Sequence, residues 1–263
     1  TISLGARRIS IGDTDGLGIT DGLVLSNTAL QAIAGSDLRL RSGGALDIYG
    51  ALAGTEPGTG VAFRQLTLDA QAIVGVDNGD LAAVLADTIT LRNSSGGTAG
   101  SAVNPAAAGS RLELRAGTLE LDDGPVALQG YASTLLEAGT AVLVTGDHAL
   151  RASGDLDIHA PVLAAAQATT ASIDAGGRLQ VTGADAGAAL PAAAGLGGSL
   201  ALRAADIDFA GHIRLPSGSV SLTQTGSGLP GAGLRLADAA IIDVAGVTAA
   251  FGPAQVGSPG GRI

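Results

Sequence analysis

Ala175-Gly176-Gly177-Arg178-Leu179-Gln180-Val181 places small residues ahead of two aliphatics separated by one residue. The same phrase stands at Ser42-Gly43-Gly44-Ala45-Leu46-Asp47-Ile48, Ser153-Gly154-Asp155-Leu156-Asp157-Ile158 and Pro216-Ser217-Gly218-Ser219-Val220-Ser221-Leu222. Alternation with period two predicts a short strand with one face inward. The glycine ahead of the strand is expected to supply backbone angles that other residues resist. The chain therefore reads as a stack of near-equivalent rungs.

One phase of these pairs can be followed through Leu46, Leu66, Ile89, Leu112, Leu135, Leu156, Leu179, Leu200, Val220 and Ile242. The mean step is about 22 residues, within the range of solenoid repeats. The Leu135-Leu136 rung is the weakest, because it lacks clean alternation. Where a rung is best resolved it holds three strands, as at Leu112/Leu114, Leu119/Leu121 and Val126/Leu128, or Leu200/Leu202, Ile207/Phe209 and Ile213/Leu215. Three strands about seven residues apart make a triangular coil, and strands stacked about 4.8 Å apart close a continuous interior. The predicted fold is all-β: a right-handed parallel β-helix, with about three short strands per coil and roughly twelve coils. The six-residue beat of a left-handed hexapeptide solenoid is absent.

Composition agrees with a narrow aliphatic core. Hydrophobic residues make up 46 % of the 263, yet aromatics number only five: Phe63, Phe209, Phe251, Tyr49 and Tyr131. All 14 basic residues are Arg, and 24 acidic residues give a formal charge of −10, which argues against nucleic acid as a partner. Without Cys there is no disulfide, thiolate nucleophile or zinc-thiolate site. No apolar run reaches the eighteen or so residues of a membrane-spanning helix, and five scattered rings cannot form the aromatic girdles of a transmembrane barrel. The chain opens on Thr1 without a signal peptide, and neither Thr1-Ile2-Ser3-Leu4 nor the tail 257–263 reads as a polar cap. A single β-helix segment over 1–263, part of a longer repeat protein, is therefore expected.

Ala/Gly/Pro-rich stretches at 53–62, 94–110, 184–199 and 223–233 read as loops. Following the tracked rungs, all four are expected to leave the same side of the stack. Asp80-Leu81-Ala82-Ala83-Val84-Leu85 is the one stretch expected to form a turn or two of helix.

Paired acids at Asp13/Asp15, Asp122/Asp123, Asp155/Asp157 and Asp206/Asp208 raise glycoside chemistry, which needs two carboxyls about 5–10 Å apart. On the tracked outward positions no two neighbouring rungs both present an acid, so solvated faces are the expectation. Arg92 and Arg115 are expected at equivalent places on consecutive rungs, where a stacked pair would hold an anion. His148, His159 and His212 show no metal-ligand spacing and read as surface residues. The Gly-x-Gly-x-x-Gly at 226–231 is followed by a strand rather than a helix, and so departs from the dinucleotide fingerprint. Asp77-Asn78-Gly79-Asp80 is one isolated oxygen-rich turn, and Asn93-Ser94-Ser95 matches a glycosylation sequon of little weight. No catalytic, metal or cofactor residues are assigned.

Gly43-Gly44-Ala45-Leu46-Asp47-Ile48-Tyr49-Gly50, its echo at Gly176–Gly183 and the run Leu234–Gly246 resemble the degenerate repeats of filamentous haemagglutinin-type exoproteins of two-partner secretion systems. The resemblance implies a right-handed parallel β-helix, exported from a Gram-negative cell through an outer-membrane transporter, and secreted or held at the cell surface. It implies an adhesin or shaft role, with a host or bacterial cell-surface receptor or glycan as partner and no catalysis. The alternatives are a β-helical polysaccharide-processing enzyme and a passive stalk that presents a distal toxin or effector. The family's secretion domain carries Asn-Pro-Asn signatures, whereas only Asn104-Pro105 occurs here, so the likeness is to a shaft segment.

Overall fold

The computed structural model describes residues 1–52, 60–76, 81–101, 107–226, 231–251 and 254–263. Apart from an antiparallel pair formed by Thr248–Phe251 and Ala254–Gly257, its strands stack in parallel on three ladders, here called faces A, B and C, so the fold is a solenoid of the parallel β-helix kind. On face A the register aligns Ile2/Leu4, Leu38/Leu40, Leu66/Leu68, Ile89/Leu91, Leu119/Leu121, Val142/Val144 and Leu163, then Ile213 and Ile242. Face B aligns Ile9/Ile11, Leu46/Ile48, Ile73, Leu128, Ala152, Ala175 and Ala204. Face C aligns Val61, Val84, Leu114, Leu136, Ile158, Val181 and Phe209.

The inward columns fuse into one buried cluster running from Ile9 to Val220. Leu112, Leu114, Leu119, Leu121, Leu202, Ile207 and Ile213 are essentially sealed from solvent, as the two best-resolved rungs predict. Each such side chain contributes roughly 1.5–3 kcal/mol on burial. Alternation places the intervening residues outside, where the outward columns carry most of the charge.

The register also corrects the expected phasing. Leu46, Leu200 and Val220 lie on face B, Leu66, Ile89 and Ile242 on face A, and Leu112, Leu156 and Leu179 on face C. A mean period therefore slides from face to face. The cause is variable turn length: Ser199 aligns with Ser219 and Arg111 with Ser133, whereas Leu81 aligns with Arg111 and Arg178 with Asp206. At the weak rung Leu136 points inward and Leu135 outward.

The loops leave from different places rather than from one side. Residues 93–110 depart after face A and re-enter on face C, so face B pairs Ala72–Val76 directly with Gly124–Gln129. Residues 183–198 depart after face C and re-enter on face B, so face A pairs Leu163 directly with Ile213. The stretch 223–233 joins face B to face C, and most of 53–62 lies outside the described residues, as do parts of 94–110 and 223–233. Each of the two long excursions takes the place of a strand. Face A carries nine aligned levels among the described residues.

Of the helix expected at 80–85, Asp80 lies outside the described residues and 81–85 is instead the opening of the strand Leu81–Arg92, because Ala82 and Val84 alternate inward onto Leu112 and Leu114. A helix occurs at Asn27–Ala32, where the Ser26 hydroxyl accepts the Ala29 N–H at 3.4 Å and Leu30 is buried in the core.

Several glycines ahead of strands act sterically, although Gly43 and Gly44 do not, since a Cβ there would come no closer than 3.4 Å to a neighbour. Gly154, Gly176, Gly177 and Gly218 all lack a positive φ. A Cβ on any of them would lie closer than 3.0 Å to an atom of the preceding turn, such as the Ser153 carbonyl beneath Gly176. Positive φ occurs at glycines on both sides of strands: Gly22 and Gly60 ahead of one and Gly124 opening one, as expected, and Gly50, Gly130 and Gly183 after one.

Candidate functional site

Outward residues pair from turn to turn. The row Arg41, Asp69, Arg92 is in register on face A, and Arg92 reaches on to Asp122 at 2.8 Å. Arg115 meets Glu113 of its own strand at 2.7 Å and Glu137 of the next turn at 3.3 Å, Arg178 meets Asp157 at 3.5 Å, and Arg235 meets Asp206 at 3.0 Å and Asp208 at 3.1 Å. Arg92 and Arg115 thus sit on different faces, each between acids, and do not form the expected stacked pair. The forked guanidinium suits such bridging, which fits the exclusive use of Arg.

The aspartates also bind backbone. Asp69, Asp123, Asp147, Asp155 and Asp206 each accept, through Oδ1, an N–H from the next turn: those of Ser94, Asp147, Thr170, Arg178 and Gly233, at 2.7–3.0 Å. Among the register partners of the described strands no two acids are stacked, and the acid pairs at 122/123, 155/157 and 206/208 are engaged in these contacts. Asp69 is only 1 % exposed. Burial pushes its carboxyl up, but the Ser94 N–H, the Arg39 guanidinium at 2.9 Å and the Ser94 hydroxyl outweigh that and hold it below the usual carboxylate range.

Two of the three histidines are buried, against expectation. His148 is 4 % exposed with Nδ1 on the Asp122 carbonyl, and His212 is 3 % exposed with Nδ1 on the Asp185 carbonyl at 2.8 Å. His159 is exposed and contacts the Thr182 hydroxyl at 3.0 Å. Among the described residues no group of three or more His, Asp or Glu side chains converges as a metal site would require, and no helix is long and apolar enough to cross a membrane.

Asn93 is buried at the foot of the 93–101 segment. Its Nδ2 donates to the carbonyls of Gly97 at 2.7 Å and Pro125 at 2.8 Å, while Oδ1 accepts the Ser95 N–H and hydroxyl. With its amide spent in this way, Asn93 in the folded chain is a hinge pin for the segment rather than a glycan acceptor. The oxygen-rich turn at 77–80 and the core of the glycine motif at 226–231 lie outside the described residues.

A concavity follows from the excursion after Arg92. Where face B lacks a strand, residues 94–101 cross its outer surface as a strap, with Ala99 packed on Ala72, Val74 and Ala127. Between this strap and the Arg7-Arg8 corner lies a groove of about 640 Å³, floored by Ala45, Ala72 and Val74. Arg7, Arg8 and Asp21 line one part of it, and Gln71 and Gln129 another. Arg8 is paired with the buried Asp47, while Gln71 Nε2 donates to the Gly43 carbonyl at 2.9 Å and to the Ser95 hydroxyl at 3.2 Å. A smaller hollow of about 280 Å³, reaching Arg151, lies on the other flank of the strap. The sequence marked 94–110 as a loop, but nothing local in it reveals that residues 94–101 fold back over a face.

Comparison with family models, curated proteins and solved structures returns no match for this chain.

Proposed function

We propose that this chain is a structural and adhesive shaft segment of a secreted or surface filamentous exoprotein of a Gram-negative bacterium, without catalysis of its own. On this reading the solenoid is right-handed and continues the repeat of the parent filament, which reaches the surface through a partner outer-membrane transporter. The observation that carries the reading is the turn-to-turn use of the outward charges. Carboxylates that would supply acid–base chemistry, among them Asp122, Glu137, Asp155 and Asp206, are instead bonded to arginines or backbone N–H groups of the neighbouring turn, as suits a rod that must hold its register. The likeness of the Gly43–Gly50 phrase to haemagglutinin-type repeats supports the same reading.

The test uses the purified chain immobilised on beads and offered to epithelial and bacterial cells. Saturable binding is the expected result, together with no cleavage of a polysaccharide panel. Release of reducing ends or unsaturated sugars would overturn the reading in favour of a polysaccharide-processing enzyme. A folded chain that binds no cell surface would leave only a passive stalk.

A further inference from the structure

We propose that the groove beside the strap on face B is a binding site for an uncharged oligosaccharide lying along the strands; this rests on the binding-segment reading above. At about 640 Å³ the groove falls within the roughly 300–1,000 Å³ of small-ligand sites. Its floor of Ala45, Ala72 and Val74 offers a low apolar strip to the C–H face of a sugar ring. Around that strip stand planar polar groups: the Arg7 guanidinium, the Asp21 carboxylate and the amides of Gln71 and Gln129. Of these, the Arg7 and Asp21 groups can each engage two neighbouring hydroxyls of one ring, whereas the Nε2 groups of Gln71 and Gln129 are already directed at the Gly43 carbonyl, the Ser95 hydroxyl and the Gly100 carbonyl. Arg7 and Asp21 are exposed and, among the described residues, neither enters an ion pair, so both are available to a ligand.

Other ligand classes fit less well. The strands Ala45–Tyr49 and Ala72–Val76 already use their backbone groups in the ladder, with partners on both sides, so an extended peptide finds no strand edge to join. The groove sets two arginines against two aspartates in a chain of net charge −10, which disfavours a polyanion. No aromatic ring lines it, as stacked nucleobases would require.

The experiment screens the whole chain on an array of neutral, sialylated and sulfated oligosaccharides, then titrates the best neutral binder by calorimetry. Arg7→Ala removes an exposed donor, and Ala45→Trp fills the floor. Each is expected to weaken binding about tenfold or more. Arg203→Ala, an exposed arginine outside the groove, is expected to change nothing, and thermal melting should confirm that the Arg7 variant folds like the parent. Preference for sialylated or sulfated glycans alone, neutral binding unaffected by both groove variants, or no binding to the array would overturn the proposal. Cell binding that persists without any glycan binding would sink the groove assignment while leaving the adhesive shaft standing.

Discussion

At the scale of single residues, the chain is built around close approach between turns. Gly176 sits over the Ser153 carbonyl with no room for a methyl, whereas a Cβ on Gly100 would meet nothing within 4 Å. Neither has a positive φ, so the two substitutions differ in space alone. Gly176→Ala is expected to lower stability by about 1–3 kcal/mol and Gly100→Ala by almost nothing, measured by urea denaturation. His148 supplies a second residue-scale prediction. Burial pushes its pKa below the ordinary histidine value, more than the Asp122 carbonyl and the Asp122 and Asp123 carboxylates raise it. The unfolded chain takes up a proton below about pH 6.5 that the folded ring resists, so this contribution is complete above that pH and is lost on acidification. His148→Gln should therefore flatten the stability profile between about pH 7 and pH 5, read from denaturation midpoints across that range. A variant with the same acid slope as the parent would contradict the assignment.

At the scale of elements, the strap shows what the sequence discloses and what it hides. Leu112/Leu114, Leu119/Leu121 and Ile207/Phe209 were legible because alternation is a local signal and burial follows from it directly. Which face each pair occupies was not, because all three faces carry the same aliphatic-x-aliphatic phrase and only the loops between them set the phase. The 94–110 stretch was legible as a loop from its composition, yet the course of residues 94–101 across face B depends on Asn93, Asp69 and Ala99 meeting residues from other turns. The buried state of His148 and His212 was hidden for the same reason, since the carbonyls that hold them belong to neighbouring turns. Asn93→Ala would strip the Gly97 and Pro125 carbonyls of their donor and the Ser95 groups of their acceptor. A loss of about 2–3 kcal/mol is expected, with faster proteolytic nicking in 94–110. Unchanged stability and nicking would mean that the strap is held by other contacts.

At the scale of the molecule, the chain is a stack of turns in register. Ser133 aligns with Asp155, so deleting residues 133–154 removes one turn and brings Asp155 into register above Arg111. That deletion should leave a cooperatively unfolding β-protein, whereas deleting 133–143, half a turn, should not, because the faces no longer close. The most direct measurement of register uses the absence of native cysteine. Ala201 and Ser221 are outward register partners on face B, while Thr223 lies two residues farther along the same strand. Parallel neighbours stand about 4.8 Å apart and diagonal ones about 7–8 Å, and a disulfide spans Cα separations of roughly 4.4–6.8 Å. Under mild oxidation the double variant Ala201→Cys/Ser221→Cys should cross-link within the chain and Ala201→Cys/Thr223→Cys should not; equal cross-linking of both, or cross-linking of the second alone, would contradict the stacked β-helix.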